Sequence, residues 1–406
     1  MNYRSFRTFL GRSLHYKKYL WPINAILFNL CKLYPYRDKR LWVFGAIRGE
    51  KYDDNSRFLF EYVNKQTDCG IRAVWLSSVG DVVSFVRSLG YESYSVYSIK
   101  GLRLALSAGV AFYTHGLHDF GHFPMLGGAT IVSLWHGFSF KQIYNYKYKG
   151  VTARIKKIMD RVFSWVQRDY SMVSSGYVAH QTLKEFNIKD SSTIIITGQP
   201  RNDALFYNTG CQIFIDKIEI RDRKIISFMP TYRAKGQSPN TLKDIVDKLV
   251  DNEALNQFLK QNNYLFIIKL HPSTPEFQIK DNDNFYILTY QKVESNQDLL
   301  KYTDILITDY SGVFVDYALL NRPIVFYTPD ENDFYNYSEK LDEDSNKVMM
   351  LSKAYNPHEL VERLKHPTSE VAKVTNEFFL DTSLKGTCFC DNVFKAILNI
   401  KCIDLL

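Results

Sequence analysis

Thr130-Ile131-Val132-Ser133-Leu134 runs into Trp135-His136-Gly137, and Tyr264-Leu265-Phe266-Ile267-Ile268-Lys269 runs into Leu270-His271-Pro272. Each is a short apolar run that stops at a histidine, the pattern of a strand covered on both faces in a parallel sheet. Open α/β sheets bind ligands outside the carboxyl ends of their strands, so both histidines are placed where chemistry is done. Two further runs end the same way. Ile225-Ile226-Ser227-Phe228-Met229 leads into Pro230-Thr231-Tyr232-Arg233, and Asp304-Ile305-Leu306-Ile307 into Thr308-Asp309-Tyr310-Ser311-Gly312. Four polar strand ends point to one cleft.

Outward from these runs, strand-like and helix-like segments alternate from Leu41 on. Leu41–Gly45 is followed by a helical run over Arg57–Gln66, Ile71–Leu76 by Asp81–Leu89, and Val110–Tyr113 ends at Thr114-His115. The alternation breaks in a polar patch between Phe206 and Arg223, then resumes with strand Lys224–Met229, one long helix over Leu242–Gln261, strand Tyr264–Leu270 and strand Ile324–Tyr327. Such β-α alternation predicts parallel sheets with helices on both faces. The 406 residues, 46% hydrophobic and 15% aromatic, suffice for two cores of ordinary size. The predicted division is a segment 1–40, an N-terminal domain 41–215 and a C-terminal domain 216–406 ending in a helix.

Charge is unevenly placed. Residues 1–40 carry nine Lys and Arg against one acid, Asp38, which equals the whole formal net charge of +8. The remainder is balanced, which argues against a nucleic-acid binder and for a local basic arm. Within the arm, Leu20–Leu33 is apolar, with Trp21 and Phe28, but is too short to span a bilayer and contains Lys32. It suits an anionic membrane interface or a helix packed on the protein's own surface. Val151–Arg168 is a second basic, amphipathic stretch. The six cysteines form no CxxC pairs and read as reduced thiols of a cytosolic protein.

Tyr52-Asp53-Asp54-Asn55-Ser56, Trp135-His136-Gly137 with Lys141, Gly198-Gln199-Pro200-Arg201-Asn202-Asp203, Pro230-Thr231-Tyr232-Arg233, His271-Pro272, and Thr308-Asp309-Tyr310-Ser311 followed by Asp316 and Asn321-Arg322-Pro323 occur in one order. In that order they resemble the CDP-glycerol glycerophosphotransferase family, whose members build teichoic acids and related phosphate-linked capsules. The resemblance covers about residues 41–335. It implies two Rossmann-like domains facing across a cleft (GT-B type), a CDP-polyol donor, no cofactor or metal, and a glycan or lipid-linked acceptor. It also implies peripheral attachment to the cytoplasmic face of the cell membrane. The chain departs from the family pattern at Phe138-Ser139-Phe140, where a small Thr and Pro are usual, and this implies a reshaped acceptor pocket. An alternative within the same fold is a glycosyltransferase that uses a nucleotide-sugar donor.

Attack of a hydroxyl on the distal phosphorus of a nucleoside diphosphate needs a base, stabilised phosphate oxygens and in-line placement. His136, on the acceptor domain, is the candidate base, and His271 with Arg233 the candidate partner of the diphosphate. Thr231, Thr308, Ser311 and Gly312 complete the donor set. Ser311 lies before an apolar helix over Val313–Leu320 and is open to phosphate binding, to N-capping, or to both. Asp316 is open to the ribose hydroxyls or to solvent. Arg201 is open to the donor phosphates or to a hinge pair with Asp203. Asp54 and Asn55 either orient the acceptor or cap the following helix. His115 and Lys141 are further acceptor candidates. His115, His118 and His122 lie in a glycine-marked loop, and Asp281-Asn282-Asp283 in a polar turn; neither has metal-ligand spacing on a rigid element.

Overall fold

The computed structural model describes residues 14–66, 69–138, 168–186, 188–207, 222–233, 241–271, 273–288, 295–337 and 341–403, with side chains from residue 23 onward. Lys141, most of the Val151–Arg168 stretch, the first part of the basic arm and the expected domain boundary lie outside the described residues.

The apolar runs form two parallel sheets. The first contains β1 (Asp38–Phe44), β2 (Arg72–Ser77), β3 (Ser93–Ser95), β4 (Ala108–Tyr113), β5 (Thr130–Ser133), β6 (Tyr170–Val173) and β7 (Ile194–Ile196), in the order β3-β2-β1-β4-β5-β6-β7. The second contains β8 (Lys224–Met229), β9 (Tyr264–Lys269), β10 (Phe285–Leu288), β11 (Ile305–Thr308), β12 (Ile324–Tyr327) and β13 (Lys353–Ala354), in the order β10-β9-β8-β11-β12-β13. Chain order reverses between β1 and β4 in one sheet and between β8 and β11 in the other, and such switch points open a crevice at the strand ends.

Both faces of each sheet are covered, which is why the strands read as nearly unbroken apolar runs. In the first sheet Trp42, Phe44, Phe60, Phe112 and Trp75 are almost completely buried in one aromatic cluster, with the Phe44 and Phe112 rings stacked at 4.7 Å. In the second, Ile226, Phe228, Phe266 and Ile268 pack against the helices Thr241–Val250 and Glu253–Gln261. These two helices replace the single expected one. Asn252 breaks it, because its side chain accepts from Leu255 N–H at 2.9 Å and caps a new helix.

A second departure concerns the domain assignment. The last helix, Phe389–Lys401, does not belong with the second sheet. Cys390, Val393, Phe394, Ile397 and Leu398 are buried in the core of the first, and Phe394 packs edge-on to Trp42. The crossing depends on Gly198, at φ +80°, where an added Cβ would lie 2.4 Å from the Phe389 ring. Asp203 secures it by accepting from Phe389 N–H at 2.8 Å and Cys390 N–H at 2.7 Å, placing a carboxylate at the helix start.

The helix Leu14–Cys31 has two apolar sides. Ala25, Phe28 and Cys31 are buried against the first domain, whereas Ile23, Ile26 and Leu30 on the opposite side, and Leu33 just beyond the helix, are 48–78% exposed. Among the described residues no helix is long and apolar enough to cross a membrane.

Candidate active site

β4 ends at Thr114-His115 and β5 at Trp135-His136, and the pairing of these strands brings the two imidazoles together. The rings stack at 3.9 Å between centroids and 11° between planes. Trp135 adopts φ +55°, an uncommon value for a bulky residue, as the chain turns off β5. His136 Nδ1 lies 3.1 Å from the Thr114 carbonyl oxygen. A carbonyl only accepts, so the neutral His136 carries its hydrogen on Nδ1 and its lone pair on Nε2. Burial lowers the pKa of both rings. It takes His115 to about 3, with the neighbouring His136 adding to the shift, and it lowers His136 although Asp54 and the Thr114 carbonyl act the other way.

A buried arginine joins the domains beside this pair. Arg201 donates to Asp54 Oδ1 at 2.8 Å, pairs with Asp316 Oδ2 at 2.9 Å and donates to the His136 carbonyl at 2.8 Å. Asp54 precedes the first-domain helix core and Asp316 lies on the second-domain helix Val313–Ala318, so one guanidinium neutralises a carboxylate from each side. Asp316 also accepts from Asn202 Nδ2 at 2.9 Å and Gln297 Nε2 at 3.4 Å. Burial raises the Asp54 pKa, but the Arg201 guanidinium, helped by the Asn55 N–H, outweighs it and holds the carboxyl below its ordinary value. These contacts bear on three expectations. Arg201 has its terminal nitrogens committed to two carboxylates and a carbonyl, the arrangement of a clamp between the domains. Its partner is not Asp203, which caps the last helix. Asp316 faces this buried network rather than a ribose.

Asn55 is corrected as well. It is fully buried, accepts from Arg201 N–H at 3.0 Å and donates to the Leu134 and Trp135 carbonyls at 3.1 and 2.9 Å. It braces the β5 turn and has no edge left for an acceptor.

The β8 and β11 ends form the second half of the cleft. Asp309 Oδ1 accepts from Thr231 N–H at 2.8 Å, and Asp309 Oδ2 pairs with Arg233 at 2.8 Å. Arg233 also binds Asp330 through Nε at 2.7 Å, and it lies over the Tyr310 and Phe334 rings. Two carboxylates on one guanidinium balance its charge, and through them Arg233 ties the strand-end loops together. Thr308 is likewise structural, since its hydroxyl donates to the Met229 carbonyl at 2.8 Å in a fully buried position. Ser311 and Gly312 stay half-exposed at the start of Val313–Ala318, where Ser311 Oγ accepts a long 3.4 Å bond from Val313 N–H. Thr231 Oγ1 is buried with no hydrogen-bond partner among the described residues.

His271, at the end of β9, is exposed and accepts from Ser273 N–H through Nδ1 at 3.1 Å. Its hydrogen is therefore on Nε2, the reverse of His136: one ring presents an acceptor and the other a donor. The loop after β4 is more ordered than its glycines suggest. Asp119 is buried and accepts from the Thr114 and His115 N–H groups at 2.9 Å each and from Arg48 N–H at 2.6 Å. Asp119 and Thr114, which set the orientation of both histidines, carry no sequence signature. Among the described residues no group of three His, Cys, Asp or Glu is arranged to hold a metal ion.

Two facing parallel α/β domains with a buried interdomain clamp and strand-end histidines define a transferase of the two-Rossmann, GT-B kind. Residues 26–380 match the family described as CDP-glycerol:poly(glycerophosphate) glycerophosphotransferase, and the chain belongs to that family. It is 28% identical to a teichoic acid poly(glycerol phosphate) polymerase of Bacillus spizizenii over 78% of this chain and 80% of that one. To a teichoic acid glycerol-phosphate transferase of Staphylococcus aureus it is 26% identical over 72% and 75%. The fold is similar to that of the wall teichoic acid polymerase TagF, with a TM-score of 0.68 and 20% identity over 98% of this chain and 99% of that chain. A variant of that polymerase soaked with CDPG matches equally well.

The clamp yields a test. Arg201→Met leaves two buried carboxylates without their cation and should cost about 3–5 kcal/mol, seen as a clear fall in melting temperature. Arg201→Lys should recover only part, because one ammonium cannot serve both carboxylates in the same plane. A wild-type melting curve for Arg201→Met would show that the clamp does not hold the domains.

Proposed function

We propose that the protein transfers a polyol phosphate, glycerol phosphate or ribitol phosphate, from a CDP-polyol to a hydroxyl of a membrane-associated glycan or teichoic-acid-type acceptor, releasing CMP. The observation that carries the mechanism is His136, held neutral by burial with its Nε2 lone pair left free by the Thr114 carbonyl. The acceptor hydroxyl gives its proton to His136 Nε2 as its oxygen bonds to the distal phosphorus. The bond from that phosphorus to the bridging oxygen breaks, and the electron pair leaves on CMP. One phosphodiester, one CMP and one proton balance the step. His271 supports the donor side, because its Nε2–H can bond a phosphate oxygen and its strand end belongs to the second domain. Ser311, Gly312 and the unpartnered Thr231 hydroxyl complete that side, and His115 and Lys141 remain on the acceptor side.

The product decides between this reaction and sugar transfer from a nucleotide-sugar. With CDP-glycerol and an acceptor bearing a free hydroxyl, phosphorus NMR should show a new phosphodiester and one CMP per linkage. His136→Ala should lower kcat by about 10²- to 10⁴-fold with little change in donor Kd. A glycosidic product with release of a nucleoside diphosphate would overturn the proposal.

The outward side of the helix Leu14–Cys31, together with the basic residues of 1–40, supports peripheral binding to an anionic membrane on the cytoplasmic face. Replacing Ile23, Ile26, Leu30 and Leu33 by Ser should sharply reduce sedimentation with vesicles containing anionic phospholipid and leave transfer to a soluble acceptor intact. Unchanged sedimentation would remove this helix as the anchor.

A further inference from the structure

The pairing of Arg201 and Arg233 with carboxylates leaves a physical gap. A nucleoside diphosphate brings at least two negative charges into the cleft, yet each of these arginines is matched by two carboxylates. A cation not consumed by the fold is needed, and Lys269 is one. It is the last residue of β9, two positions before His271, and only 6% exposed. Among the described residues its ammonium makes no hydrogen bond or ion pair within 4.0 Å. A buried charge without a partner is costly, and proteins usually avoid it.

The charges that act on Lys269 come from the opposite domain. They are Asp53, which attracts it, and Lys51, which repels it. Asp53 is in turn acted on by Asp54, by Arg57, whose own partner is Glu61 at 2.9 Å, and by Lys269. Lys51 is drawn to Glu50 as well as to Asp53, whereas Asp53 is the one carboxylate that acts on Lys269. Its position is fixed by chain continuity. Asp53 faces Lys269, while the next residue, Asp54, faces the His115 and His136 pair, and consecutive Cα atoms are about 3.8 Å apart. The Lys269 ammonium therefore lies near the candidate base, at the seam of the two domains.

We propose that Lys269 is a donor-binding residue: its ammonium takes the diphosphate of the CDP-polyol, with Asp53 standing in for that anion when the cleft is empty. The inference rests on the donor proposed above and names the cation that this donor requires. Burial, with repulsion from Lys51 and only partial relief from Asp53, lowers the Lys269 pKa to about 8, so the group is charged at neutral pH and sensitive to its anionic partner. Burial and the adjacent Asp54 raise the Asp53 pKa to about 6, so a proton can settle there when phosphate replaces it at Lys269.

The test is calorimetric titration of CDP-glycerol, with inorganic pyrophosphate as a second probe, into wild type, Lys269→Met and Lys269→Arg, alongside their melting curves. Methionine keeps the apolar stem and removes a buried charge, so Lys269→Met should melt at or above the wild-type temperature. Its Kd for both probes should rise at least tenfold, and Lys269→Arg should recover part of the affinity. Wild-type Kd should also rise as pH passes through about 8, because the ammonium loses its charge, and this dependence should vanish in Lys269→Met. Unchanged Kd values in a folded Lys269→Met overturn the assignment while the donor stands. If Lys269→Met melts lower and binds normally, the residue is only Asp53's structural partner. If wild type binds neither probe, the donor itself falls, and the assignment with it.

Discussion

One guanidinium shared by two carboxylates holds this molecule in its working shape. Arg201 belongs to neither sheet; it lies in the segment between β7 and the second domain and takes Asp54 from one side and Asp316 from the other. Its third bond, to the His136 carbonyl, carries the constraint to the strand end where the proton is to be moved. Desolvating three charged groups is costly unless the geometry is good and the remaining hydrogen-bonding atoms are satisfied. Asn202 and Gln297 on Asp316, and the Asn55 N–H on Asp54, meet that requirement. The last helix adds an apolar strap by crossing back onto the first domain.

The same arrangement explains why the histidines differ. His136 is enclosed, stacked on His115 and oriented by a backbone carbonyl, which suits a neutral base. His271 is open to solvent and oriented by a backbone N–H, which suits a donor to an anion. Backbone groups set the tautomers, so the division of labour is built into the strand ends rather than into a side-chain relay. Charge follows a similar economy: the arginines are paired with carboxylates in the frame, and Lys269 has no hydrogen bond or ion pair among the described residues.

The fold was legible because strands buried on both faces cannot hide their composition. β5, β8, β9 and β11 stand out as apolar runs, and their polar ends mark the cleft. What was not legible depends on contacts between distant residues. Nothing in Arg201-Asn202-Asp203 tells a clamp from a phosphate ligand, because the decision lies with Asp316, 115 positions away. The pairing of Arg233 is hidden for the same reason, since Asp330 belongs to a different loop. The C-terminal helix has an apolar face that reads the same whichever core it covers, so its place on the first domain is visible only in the packing. Lys269 reads as the end of a strand, as its burial and its approach to Asp53 exist only in three dimensions. Asn252, by contrast, is an ordinary helix-start residue and could have been read as the break between two helices.

The central claim is that a neutral His136, with its lone pair on Nε2, takes the proton of the attacking hydroxyl. The pH dependence of kcat/KM for transfer from CDP-glycerol tests it most directly. Because the base works only when unprotonated, activity should fall as pH drops through the His136 pKa, and burial places that midpoint below the ordinary 6.5. The acid limb should be absent from the residual activity of His136→Ala. A midpoint above 6.5, or the same limb in that variant, would contradict the account.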